Sequence, residues 1–205
     1  MCCVLVLIAE TVQGADTSGQ KQGFQPRAFE AAVYNVETTG WQQMQRVAVA
    51  AGTNKFDFVA PYGLRLSANA DLLTLASTNA TYFLAFRILD TIGAEPNLGN
   101  RGNTDSQREY LLAQFPGANV IEEFSKTAAS QTGPAYELRV KSAGDAERAV
   151  CVVFIPSAAG VLEFSCNAQP SKASEAKVAF NSLLRTFRSN QFGKLEILPS
   201  GPDNS

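Results

Sequence analysis

The sequence predicts an α+β domain built around an antiparallel sheet, and three stretches carry that prediction. Residues 151–166, CVVFIPSAAGVLEFSC, read as a hairpin. Residues 134–140, PAYELRV, alternate apolar and charged side chains with the period of a strand buried on one face. Beyond Pro170, residues Ala173, Ala176, Phe180, Leu183, Leu184 and Phe187 recur at helical spacing, the stripe of a helix lying on a sheet. A chain of 205 residues, 45% hydrophobic and 18% charged, suffices for one such domain with a sizeable core.

Taken in order, the chain opens with MCCVLVLIAETVQGADTSG. The apolar run over 2–9 is too short to span a bilayer, which takes about 20 residues. Small residues follow it, and Val12-Gln13-Gly14 suits a small-x-small cleavage site, so residues 1–14 read as a secretory signal peptide. A buried N-terminal strand is the alternative, because no Lys or Arg precedes the run. Residues 15–53 form an arm whose structure stays open. Its start, ADTSGQKQGFQP, is polar and glycine-rich, and RAFEAAVYNVE and WQQMQRVAVAAG each suit a helix or a strand.

A domain over 54–192 then reads more sharply. KFDFVAPYG is a strand with Phe56 and Phe58 on one face, stopped by Pro61 and Gly63. LRLSAN and DLLTLAST follow as short strands, and a tight turn at Asn79-Ala80 leads into TYFLAFRIL, which is apolar on both faces and therefore central. After a loop over 91–103, Thr104 and Gln107 have the form of a capping box, and Leu111, Leu112 and Phe115 give a short helix ended by Pro116-Gly117. NVIEEFS is the next strand. Residues 193–205 form a tail.

In the hairpin, a turn centred between Ala158 and Ala159 sets Ile155 against Leu162, Val153 against Phe164 and Cys151 against Cys166. All six are apolar and share a face. In an exported chain the two cysteines read as a structural disulfide, Cys151–Cys166, with two buried free thiols as the alternative. A redox pair is not supported, since there is no CxxC spacing and no neighbouring cation to lower a thiol pKa.

The composition excludes more than it assigns. The chain has no histidine, which removes Ser-His-Asp and Cys-His couples and histidine metal sites. Its net charge of -2 and lack of any basic run speak against nucleic acid. GNRGN at 99–103 precedes a helix start but matches no phosphate-binding pattern. Glu122 and Glu123 are adjacent on a strand and diverge. Asp145 and Glu147 read as solvated loop charge, and Lys172, Lys177, Arg185 and Arg188 as the wet face of the closing helix. Asn79-Ala80-Thr81 is a glycosylation sequon, and Trp41 is the lone tryptophan. No catalytic, metal or cofactor-binding residue is assigned, and no cofactor is expected.

The order of these elements resembles a family. GPAYELRV is similar to the G-x-x-Y-x-x-x-V strand of the PsbP/Mog-type (DcrB-like) superfamily. VCVVFIPSAAGVLEFSCNAQ and AFNSLLRTF stand where that family has a hairpin, a strand end of the x-C-x-A-Q kind and a closing helix. FDFVAPYGLRL resembles its F-x-x-P-x-G-W opening, with Leu64 in place of the tryptophan. The resemblance spans roughly residues 54–190. It implies an α/β/α sandwich, a central, mainly antiparallel sheet flanked by helices. It also implies a non-enzymatic exported binding or assembly module, nearest the exported bacterial members, with an unknown protein partner in the cell envelope or extracytoplasmic space. No integral membrane span is expected in the mature chain. An enzyme with a histidine-free site of carboxylates, Ser, Lys or Tyr is one alternative, and a cytosolic adaptor is another.

Overall fold

The computed structural model describes residues 23–37, 43–92, 101–141 and 147–190. The expected signal peptide, Trp41, Asp145 and the 193–205 tail lie outside the described residues.

An eight-stranded antiparallel sheet forms the body. Its path runs through β5 (Leu64–Ala68), β6 (Leu73–Ser77), β7 (Tyr82–Ile92), β11 (Gly160–Ala168), β10 (Glu147–Ser157), β9 (Gln131–Lys141) and β8 (Asn119–Ala128). β1 (Gly23–Arg27) pairs with the far end of β7, beyond the stretch that β6 occupies. A second, four-stranded sheet runs β12 (Arg188–Asn190), β4 (Asn54–Val59), β3 (Gln43–Ala51), β2 (Glu30–Glu37). Residues 23–37 and 43–51, left open between helix and strand, are therefore strands.

The hairpin has the register its apolar pattern implies: Cys151 faces Cys166, Val153 faces Phe164 and Ile155 faces Leu162. Gly160 turns the chain at φ +120°, and a Cβ there would stand 2.3 Å from the Leu89 carbonyl oxygen, so the position admits only glycine. β7 lies inside the large sheet, between β6 and β11, as its two apolar faces require.

One helix lies against each face of the large sheet. α2 (Ala173–Thr186), preceded by a 3-10 turn at Pro170–Lys172, buries Ala176, Phe180, Leu183 and Leu184. The inner face of the small sheet shares this core through Val47, Val49, Phe56 and Phe58. Phe187, just past α2, ties the parts together: its ring lies 4.8 Å from Phe164, 5.6 Å from Phe56 and from Phe86, and 6.1 Å from Phe58. On the opposite face, α1 (Arg101–Gln114) sets Leu111 over a second core of Tyr136, Leu138, Val150, Val152 and Phe154.

Strands make up 62% of the described residues, so the expected antiparallel α+β sheet is present with one helix on each face, but the helices are few and the fold is dominated by the sheet. The expected capping box, by contrast, is absent. α1 begins at Arg101, which puts Thr104 inside the helix, and Gln107 is buried with its Oε1 unpaired instead of reaching back to a cap. Leu112 is exposed and drops out of the stripe.

Candidate functional site

The small sheet covers the core with one face, and among the described residues nothing packs on the other. Strand registers place three rows across that outer face. Glu30, Ala50 and Lys55 form one row; Ala32, Ala48, Asp57 and Arg188 form the next; Tyr34, Arg46 and Val59 form the third. The alternation that buries Val47 and Val49 forces Arg46, Ala48 and Ala50 outward. The alanines at 32, 48 and 50 leave a floor with little above it, and a cleft of about 560 Å³ opens there.

Its electrostatics are graded. Arg46 and Asp57 form an ion pair in the middle of the cleft, with only 18% and 13% of their side chains exposed. Glu30 stands on the β2 side, Lys55 and Arg188 on the side of β4 and β12, all three exposed. Among the described residues none of these three has an ion pair or side-chain hydrogen bond. The cleft therefore runs from an acidic border, over a neutralised centre, to a basic border.

The cysteines lie elsewhere. Cys151 and Cys166 face each other beneath a groove of about 230 Å³ beside the start of α2. Both are buried free thiols, so the structure does not contain the expected disulfide. Residues opposite each other in an antiparallel pair hold their Cβ atoms ~4.5–5.5 Å apart, wider than the ~3.8 Å mean of a disulfide. Burial pushes each thiol up to about 12, which keeps them protonated and unreactive.

At Glu137, which lines this groove, the sheet shows a feature that adjacency in sequence concealed. Across β8 and β9, Glu122 stands opposite Glu137, so two carboxylates do come side by side. Glu137 Oε1 lies 2.5 Å from Lys177 Nζ of α2. That hydrogen bond raises the lysine's pKa and holds it as a cation, in the role of an ion-pair partner and not of a base. Glu147 pairs with Arg139 at 3.2 Å and Lys172 with Glu175 at 2.8 Å, at the surface. Asn79 accepts a hydrogen bond from the Thr81 hydroxyl at 2.9 Å and shapes the turn before β7.

A buried polar cluster underlies α1. Glu163 of β11 is 4% exposed and stands opposite Arg87 of β7. It accepts a hydrogen bond from the Tyr110 hydroxyl at 3.0 Å, while Arg87 Nη1 donates to Gln114 Oε1 at 3.1 Å. Burial raises the Glu163 carboxyl above its ordinary range, against the opposing pull of Arg87 and Tyr110. α1 covers the cluster, so its place is in the core.

None of the cleft residues was singled out as a site from sequence except Arg188, and that only as a solvated cation. The available signal was weak: small or charged residues at alternate positions of RVAVAAG, where an outward face of a surface strand is usually larger and more polar. Among the described residues, no group of three or more Cys, His, Asp or Glu is placed to hold a metal ion, and no helix is long and apolar enough to cross a membrane.

No family profile matches the chain, and no curated protein matches it in sequence. Solved structures do. PsbP of the cyanobacterium Synechocystis superposes with a TM-score of 0.50 at 12% identity, over 86% of this chain and 98% of that one. LpqN of Mycobacterium tuberculosis, described as involved in cell envelope biogenesis, gives a TM-score of 0.41 at 13% identity over 78% and 91%. The chain has the PsbP-type fold, as the sequence resemblance implied.

Proposed function

We propose that this protein is a non-enzymatic, exported binding module whose partner seats on the outer face of the small sheet. The observation that carries the reading is the graded cleft. It combines an alanine floor, a mostly enclosed Arg46–Asp57 pair and, on its two borders, charges of opposite sign that have no partner among the described residues. A cleft of this size lies within the usual ~300–1,000 Å³ range of ligand sites and admits a small ligand or a projecting segment of another protein. The favoured partner is a protein surface carrying both signs, basic over Glu30 and acidic over Lys55 and Arg188. The enzyme reading draws little support from the same residues. Of the two carboxylates lining the cleft, Asp57 is engaged by Arg46 and Glu30 has no nucleophile or proton donor bonded to it. Export rests on the signal-like residues 1–14.

Site-specific photocross-linking in the native host tests this. A benzophenone side chain at Ala48 should give a discrete adduct with an envelope protein, and one at Val178, exposed on α2, should not. Filling the cleft with Ala32→Trp should abolish the Ala48 adduct while leaving the urea midpoint unchanged. Equal adducts at both positions, or none at Ala48, would overturn the reading.

A further inference from the structure

The small sheet also ends in an open strand edge. β2 is eight residues long, and among the described residues nothing pairs with its outer side. The other terminal strands are guarded in the ways that natural sheets use against edge-to-edge association. β12 has three residues, β5 has five, and β1, which pairs only with β7, has five with Pro26 among them. β8 carries an irregularity between Val120 and Glu122, together with the charges of Glu122, Glu123 and Lys126. β2, EAAVYNVE, contains no lysine, no proline and no bulge. Its middle exposes one large apolar side chain on each face, Val33 at 42% on the face of Val47 and Tyr34 at 43% on the outer face, and Met44 of β3, opposite Val36, is 38% exposed.

The charges of the strand narrow what can pair with it. Both are acidic, and they stand at the two ends, Glu30 and Glu37. A second copy of β2 paired antiparallel about the Val33–Tyr34 midpoint would bring Glu30 against Glu37 at each end, and like charges directly opposite are destabilising. A strand with an apolar, alternating centre and basic ends meets the same edge without conflict.

We propose that β2 takes an extended segment of a partner protein by strand addition, with an apolar alternating centre and a Lys or Arg opposite Glu30. Main-chain hydrogen bonds would supply the affinity, and the end charges together with Val33 on one face and Tyr34 on the other the selectivity. The inference rests on the binding-module reading but concerns the edge, while the cleft lies on the face.

A labelled, end-capped synthetic octapeptide alternating Thr and Val with Lys at both ends is the probe, and its twin with Glu at both ends is the control. Fluorescence anisotropy with the full chain should show the Lys-ended peptide binding at least about tenfold more tightly than the Glu-ended one. Val33→Lys and, separately, Asn35→Lys should each abolish binding, with circular dichroism confirming the fold. The double change Glu30→Lys, Glu37→Lys should invert the preference. Hydrogen exchange should show new protection within residues 30–37 when the peptide is bound. Equal binding of the two peptides, binding of neither, or a dimer in light scattering that Val33→Lys dissolves would overturn the proposal. An Ala48 adduct without peptide binding removes the edge proposal alone. Peptide binding without an Ala48 adduct removes the cleft proposal alone.

Discussion

The two sheets share one core yet treat their other faces in opposite ways. The large sheet turns its second face to α1 and buries Glu163 there, with Arg87 and Tyr110 half-buried around it. The small sheet has nothing on its second face among the described residues and keeps Arg46 and Asp57 in a cleft. The difference shows what closure demands. Beneath α1 an unpaired buried group costs ~1–3 kcal/mol; Glu163 avoids that cost through Tyr110, while Arg87 Nε and Gln107 Oε1 find no partner among the described residues and bear it. On the open face a charge can wait for a partner from outside. Alanine also changes meaning between the two: in a packed interior it must be matched by a larger neighbour, while on the open face it leaves room.

The sharpest way to break the comparison is at the part common to both sheets. Phe187→Ala removes the ring that joins Phe56 and Phe58 of the small sheet to Phe86 and Phe164 of the large one. It should cost ~3–5 kcal/mol in urea unfolding, the usual range for a core phenylalanine. A loss below ~1 kcal/mol would mean that the sheets do not share a core in the way described.

A smaller effect is expected under α1. Tyr110→Phe keeps the ring against Phe24 and Phe154 but strips Glu163 of its hydrogen bond, for a loss of ~1–3 kcal/mol. The pH dependence sharpens the point. With the folded-state pKa of Glu163 raised above its usual 4.5, the unfolded chain gives up this proton first as pH rises. Its contribution to stability is therefore full below that value and is lost as pH climbs toward the folded pKa. Glu163→Gln should flatten this segment of the stability–pH curve relative to wild type, and an unchanged slope would show that the carboxyl is not closed off.

The smallest effect belongs to the cysteine pair. In a chain carrying Cys2→Ser and Cys3→Ser, a thiol reagent should leave Cys151 and Cys166 untouched in the native state and titrate both on unfolding. Cys166→Val, nearly volume-conserving in a buried site, should cost under ~1.5 kcal/mol. A zero thiol titre in the unfolded, unreduced chain would restore the disulfide reading.

The parts that were legible in sequence are those whose partners lie close along the chain. The β10–β11 register follows from two apolar strands flanking one turn, where a slip by one residue would turn Val153 and Phe164 to the wrong face. Phe180 is legible for a similar reason, since a helical stripe needs no distant information, whereas Phe187, expected on that stripe, is buried from extended backbone just past the helix. EAAVYNVE offered no such clue. Its alanines and valines suit a helix as well as a strand, and it is the pairing of Ala31 with Val49 and Val33 with Val47 that decides for a strand. The cleft was hidden for the same reason on a larger scale. Ala32, Ala48, Asp57 and Arg188 become neighbours only when strands from the first third of the chain meet its last one.

That last meeting has a kinetic consequence. β4 can acquire its second neighbour, and Phe56 its stacking partner Phe187, only after everything between them has been made. β1 likewise waits for the far end of β7. Such long-range pairings must overcome loop-closure entropy before any contact rewards them, so high contact order makes folding slow. Before that last meeting, Phe56 has Phe86 but lacks Phe187, and Phe58 also waits for Phe187. The β4–β12 pairing, which joins the last described strand to one in the first third of the chain, is therefore expected among the last contacts to form.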